Sequence, residues 1–82
     1  MAKITAFSFV KISKGKLQSV LDQIIKIKKV SQLFVLTGDY DALVEFDIDD
    51  PQELYEIWVN MLDSIEGITE TNTHIVMKKV TI

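Results

Sequence analysis

The apolar residues of this 82-residue chain switch between two-residue and three-to-four-residue spacing, and the switches leave few folds open. From Ile4 to about Ile12 one face carries Ile4, Ala6, Ser8 and Val10 and the other Thr5, Phe7, Phe9 and Lys11, which predicts a strand apolar on both sides. Ser13-Lys14-Gly15 is a turn. Leu17, Val20, Leu21 and Ile24 then recur at helical steps, with Ile25 or Ile27 extending the stripe, and Lys26, Lys28 and Lys29 suit the negative end of the helix dipole. A second strand runs from about Val30 to Thr37, with Val30, Phe34 and Leu36 on one side and Leu33 and Val35 on the other. A third places Ala42, Val44, Phe46 and Ile48 on a core face and Leu43, Glu45 and Asp47 opposite.

Asp49-Asp50-Pro51-Gln52-Glu53 is a helix start, with Asp50 as cap, Pro51 at the first helical position and Glu53 at the positive end of the dipole. Leu54, Ile57, Trp58, Met61, Leu62 and Ile65 continue it as a core stripe, and Gly67 stands where a left-handed cap would end it. The last strand runs from about Ile68 through Val80, with Thr69, Thr71, Thr73, Ile75 and Met77 on one face and Glu70, Asn72, His74 and Val76 on the other.

The order β-α-β-β-α-β predicts an α+β fold of the ferredoxin-like kind: a four-stranded antiparallel sheet with two right-handed crossovers placing both helices on one face. No linker, repeat or low-complexity segment divides residues 1–82, so they read as one domain. The helices can cover Ile4, Ala6 and Val10 or Phe7 and Phe9, but not both. A second copy packed sheet against sheet is the expected cover. A chain this short buries only roughly 60 to 65% of its unfolded surface. With no cysteine and 48% apolar residues, oligomerisation is the supplement that remains.

Nine lysines and no arginine against 12 acidic residues give a net charge of −3, which argues against nucleic-acid binding by this chain. No apolar run approaches the roughly 20 residues of a membrane span, and the N-terminus lacks the continuous apolar core of a signal peptide. A soluble cytoplasmic protein is expected. His74 is the only histidine and there is no cysteine, so nucleophilic catalysis finds no obvious constellation. Asp47, Asp49 and Asp50 lack the spacing of a calcium loop, and glycines at 15, 38 and 67 make no phosphate-cradling loop; no metal or cofactor is expected.

Gly38-Asp39-Tyr40-Asp41, between the second and third strands, is more polar than a chain reversal requires. A plain turn explains it if Gly38 takes positive φ and an Asp bonds its own backbone. A binding turn explains it if successive N–H groups form a nest for a carboxylate and a neighbouring Asp accepts from an ammonium. An α-amino acid carries both groups on one carbon. Thr71 and Thr73, two apart on one strand face, offer hydroxyls for a pocket wall, although β-propensity alone also favours threonine there.

The segment Leu36-Thr37-Gly38-Asp39-Tyr40-Asp41-Ala42-Leu43-Val44, followed by a helix and by Ile65-Glu66-Gly67-Ile68-Thr69-Glu70-Thr71-Asn72-Thr73-His74-Ile75-Val76-Met77, resembles the C-terminal effector (RAM) domain of the Lrp/AsnC transcription regulators, from about Ile4 to Lys79. The resemblance implies a ferredoxin-like domain paired into a dimeric α/β barrel and assembled further, as an octamer or decamer. It also implies amino-acid effectors bound between dimers. Carried over, the ligand-binding residues are Gly38, Asp39, Tyr40 and Asp41, with Thr71 and Thr73 added. The helix-turn-helix domain that precedes this one in full-length members is not in the sequence, so the expectation is a stand-alone amino-acid or small-metabolite sensing module that acts in transcription regulation without touching DNA, co-assembling with a full-length regulator. Two alternatives stand beside it: a small monooxygenase-like barrel enzyme with His74 as acid or base, and a purely structural assembly domain.

Overall fold

The computed structural model describes residues 3–60 and 62–82. Strands β1 (Ile4–Ile12), β2 (Val30–Val35), β3 (Ala42–Ile48) and β4 (Ile68–Ile75) alternate with helices α1 (Leu17–Ile24) and α2 (Pro51–Asn60), and a short 3-10 turn, Leu62–Ser64, precedes β4. The sheet order is β2-β3-β1-β4 with every neighbouring pair antiparallel, the ferredoxin-like arrangement that the periodicity predicts.

One sheet face is core. Ala6, Val10, Ala42, Val44, Phe46 and Ile48 are fully buried against Val20 and Ile24 of α1, Ile57 of α2 and Leu62. Among the described residues Ser8 is the one buried polar residue on this face, and its hydroxyl pairs with the Thr73 hydroxyl at 3.0 Å. The shortest dimension of the fold, 17 Å, is that of one sheet and one helix layer. The opposite sheet face, carrying Phe7, Phe9, Phe34 and Leu43, is therefore uncovered.

The start of α2 follows its sequence signals. Asp50 Oδ1 accepts from the Glu53 N–H at 2.9 Å, and Glu53 reaches back to the Asp49 N–H at 3.0 Å, one residue upstream of a regular capping box. Lys29, at the entry to β2, forms ion pairs with Asp49 and Glu53, both at 3.5 Å, and so ties that strand to the helix start. α1 has no side-chain cap.

Several boundaries differ from the sequence expectations. β2 ends at Val35 and not Thr37, because Leu36 already turns its N–H to the Asp41 carbonyl across the connection. Its facing differs too: a bulge between Val30 and Gln32 puts Val30 opposite Phe46, on the same side as Leu33, instead of with Phe34. β4 ends at Ile75 and not Val80, since β1 is its only neighbour and offers no pairing beyond the Val76 to Thr5 hydrogen bond. α1 stops at Ile24; Ile27 returns to the core through a turn while Ile25 is exposed.

The α2 stripe is narrower than its spacing implies. Ile57, Leu62 and Ile65 are buried and Leu54 half-buried, but Trp58 is 41% exposed. One residue on from Ile57, about 100° around the helix, it overhangs the β4 edge. Met61, counted in that stripe, lies outside the described residues, as do Met1 and Ala2. Gly67 does take a left-handed conformation (φ 107°), in the turn that launches β4.

Candidate ligand-binding turn

Residues 36–41 join two hydrogen-bonded strands, and three backbone-directed contacts fix their shape. The Leu36 N–H donates to the Asp41 carbonyl and the Asp41 N–H to the Val10 carbonyl, both at 2.9 Å. The Asp41 carboxylate then accepts from the Ile12 N–H at 2.7 Å through Oδ2. The turn is thus latched to β1 at its base. Its tip is not: the N–H groups of Thr37, Gly38, Asp39 and Tyr40 have no hydrogen-bond partner among the described residues. Gly38 reverses the chain at φ 108°, and a Cβ added there would meet nothing within 4 Å, so glycine answers a backbone need and open space lies above it.

These features can bind an anion. Consecutive unpaired N–H groups around a left-handed glycine are a donor set of the kind that binds anions, and Asp41 retains acceptor capacity beyond its one bond to Ile12. The exposed Asp39 side chain, also without a partner among the described residues, is a second acceptor for a cation at the rim.

Tyr40 points elsewhere. Its ring packs on Phe9 (centroids 5.4 Å apart) with the Lys11 ammonium 5.8 Å from its centre, and its hydroxyl donates to Glu70 at 3.0 Å and accepts from Asn72 at 3.4 Å. Tyr40 therefore anchors the turn across β1 to β4 on the open sheet face. Sequence reasoning missed Phe9, Lys11, Glu70 and Asn72 as its partners. The signal was present in the alternation of β4, which sends Glu70, Asn72 and His74 to the face opposite Thr71 and Thr73.

Thr71 and Thr73 are not brought to the turn within one chain. Paired with Val10 and Ser8, they lie on the helix side of the sheet, Thr73 bonded to Ser8 and Thr71 lining a cleft under Trp58. His74 stands exposed on the open face, edge-on to Phe9 with centroids 6.2 Å apart. No group of three or more His, Cys, Asp or Glu residues is placed to hold a metal ion among the described residues, and no helix among them is long and apolar enough to cross a membrane.

The family model of the Lrp/AsnC ligand binding domain matches residues 5–81. The HTH-type transcriptional regulator FL11 of Pyrococcus furiosus is 35% identical over 75 residues, covering 92% of this chain and 49% of the regulator. Among solved structures, TTHA0845 from Thermus thermophilus superposes with a TM-score of 0.90 at 24% identity, covering 96% of this chain and 99% of that one. The Neisseria meningitidis transcriptional regulator NMB0573, solved as a complex with L-Met, superposes with a TM-score of 0.87 at 25% identity, covering 96% of this chain and 53% of that one. The chain spans about half the length of the curated regulators that it matches.

Proposed function

The chain belongs to the Lrp/AsnC ligand-binding domain family, and from that premise we propose that it is an effector-sensing module binding an amino acid or a related small metabolite at the Gly38–Asp41 turn. The observation that carries this reading is the asymmetry of the turn: a base latched to β1 by Asp41 and a tip with four consecutive N–H donors unpaired among the described residues. The tip takes the α-carboxylate, and Asp39 with the remaining lone pairs of Asp41 takes the α-ammonium. Tyr40 holds the turn in place for this. Thr71 and Thr73, on the other sheet face, contribute only through a neighbouring subunit, as expected of a pocket completed by assembly. The L-Met bound to the related N. meningitidis regulator supports an amino acid as the ligand class.

The whole chain forms one such module, and two copies pair through the uncovered faces bearing Phe7, Phe9, Phe34 and Leu43, with further assembly into rings. It acts in transcription regulation in the cytoplasm without binding DNA itself, in keeping with its net charge of −3, by co-assembling with a full-length regulator. A thermal shift series with each amino acid tests the ligand. A binder present at 100 times its Kd adds about 2.7 kcal/mol of stability, and that gain disappears in Asp41→Ala. No shift with any amino acid overturns the reading, and a shift that survives intact in Asp41→Ala moves the site elsewhere.

A further inference from the structure

The open sheet face carries a cavity that the ligand turn does not reach. Gln32, Glu45 and Phe7, cross-strand neighbours in β2, β3 and β1, run across its floor. Past Ile75 the chain is tied down by one hydrogen bond, from the Val76 N–H to the Thr5 carbonyl at 2.9 Å, and Val76, Lys78 and Lys79 close one side of the space. Its volume of about 590 Å³ falls within the roughly 300–1,000 Å³ of small-molecule sites. The Gly38–Asp41 turn is latched at Val10 and Ile12, the other end of β1 from Thr5.

The charged groups of this cavity are not balanced. Glu45 is already engaged: its Oε2 accepts from the Ser31 hydroxyl at 2.7 Å, and the Gln32 amide donates to both of its oxygens at 3.4 Å. About one of its roughly four lone pairs is left, too few to receive an ammonium with three donors. Lys78 and Lys79, in contrast, have no ion-pair partner among the described residues. Two ammoniums against one carboxylate leave a single positive charge over in the lining. Phe7 and Val76 supply apolar surface beside them. A ligand that neutralises one positive charge and covers an aromatic ring is a monoanion with an apolar body.

We infer that this cavity is a further ligand site, separate from the Gly38–Asp41 turn, and that it takes a monocarboxylate with an apolar body and no α-ammonium. Lys78 and Lys79 hold the carboxylate, and the apolar body lies on Phe7 and Val76. Phe7 belongs to the face through which two copies pair, so pairing encloses the bound acid. That consequence alone rests on the sheet-to-sheet reading; the site itself is built within one copy.

Isothermal titration calorimetry of the intact chain with phenylacetate tests the site. Phenylacetate binds, and phenylacetamide, which has the same shape without the charge, binds about tenfold more weakly or worse. Lys78→Ala/Lys79→Ala lowers the affinity for phenylacetate by about tenfold or more. Both lysines are exposed, so the variant folds, which circular dichroism checks. A mixture of the common amino acids in excess does not displace phenylacetate, whether or not the turn binds one of them. Absence of phenylacetate binding, equal binding of the amide, or an affinity unmoved by the double substitution overturns the proposal. Displacement by the amino acids assigns phenylacetate to the turn and overturns it as well.

Discussion

The Asp41 carboxylate accepts the Ile12 backbone N–H at 2.7 Å across 29 residues of sequence, and with the bond from the Asp41 N–H to the Val10 carbonyl it ties the β2–β3 connection to β1. A turn held this way presents its free N–H groups in one geometry, which is what recognition by backbone donors requires.

Removing the latch has separable effects. Asp41→Ala deletes a charged acceptor and costs about 2 kcal/mol in denaturant unfolding, while Asp41→Asn retains an oxygen for Ile12 and costs about half of that. An equal loss in both would place the energy in the charge and not in the hydrogen bond.

Two glycines with nearly the same φ respond differently to alanine. At Gly38 a Cβ meets open space, so Gly38→Ala costs only the backbone strain, about 1–2 kcal/mol. At Gly67 the Cβ comes to 2.9 Å from both the Lys16 Cβ and the Val20 Cγ2. Gly67→Ala therefore costs the same strain plus a clash with α1, about 3 kcal/mol or more. Equilibrium unfolding ranks the two, and the reverse order contradicts the packing of Gly67 on α1.

The Ser8–Thr73 pair is a small test of polar satisfaction. Thr73→Val leaves a fully buried hydroxyl without its partner at a cost of about 1–3 kcal/mol, whereas Ser8→Ala/Thr73→Val removes both groups and recovers most of it. Each variant is read by its denaturation midpoint, and additive losses would rule out the pairing.

Phe7 lies on the uncovered sheet face, opposite Glu45 of β3. In Phe7→Lys the new ammonium faces that carboxylate, so folding stability changes by about 1 kcal/mol or less. The sheet-to-sheet pair, in contrast, is lost to a buried charge. Sedimentation velocity of the variant should give a smaller particle with unaltered circular dichroism.

The ion pairs of Lys29 set an alkaline limit. Partial desolvation lowers its pKa, but Asp49 and then Glu53 raise it more, and the net shift is upward. A raised folded-state value means that this stabilisation is complete below the ordinary lysine pKa of about 10.4 and fades as pH climbs through the folded one. Above about pH 10, Lys29→Met should flatten the pH dependence of the denaturation midpoint relative to the unaltered chain. At neutral pH the contribution is small, because the pairs lie at the surface, the Asp49 side chain being 54% exposed.

Much of this was legible beforehand. The alternation of Ile4, Ala6, Ser8 and Val10 against Phe7 and Phe9 specified the two faces of β1, since period two admits one division per strand, and the packing chose which of them the helices cover. Asp50-Pro51 fixed the start of α2, because capping is a local contest among a few backbone groups. What failed were properties of neighbours. Val80 has strand character but no strand beside it, Val30 changed sides through a bulge, and Trp58 fits the stripe by spacing yet overhangs the β4 edge.

The sequence by itself determined the order of elements, the core face of β3 and the turn Gly38–Asp41, all of which follow from periodicity and local backbone chemistry. Only the tertiary structure decided what that turn does with its side chains. Asp41 spends one oxygen on Ile12, and Tyr40 turns to Glu70 and Asn72 instead of to the tip. Thr71 and Thr73 go to the far face of the sheet. Those outcomes depend on which residues of β1 and β4 stand beside the turn, and strand register across 29 or 30 residues is set by the packing of the whole sheet and not by any stretch of it.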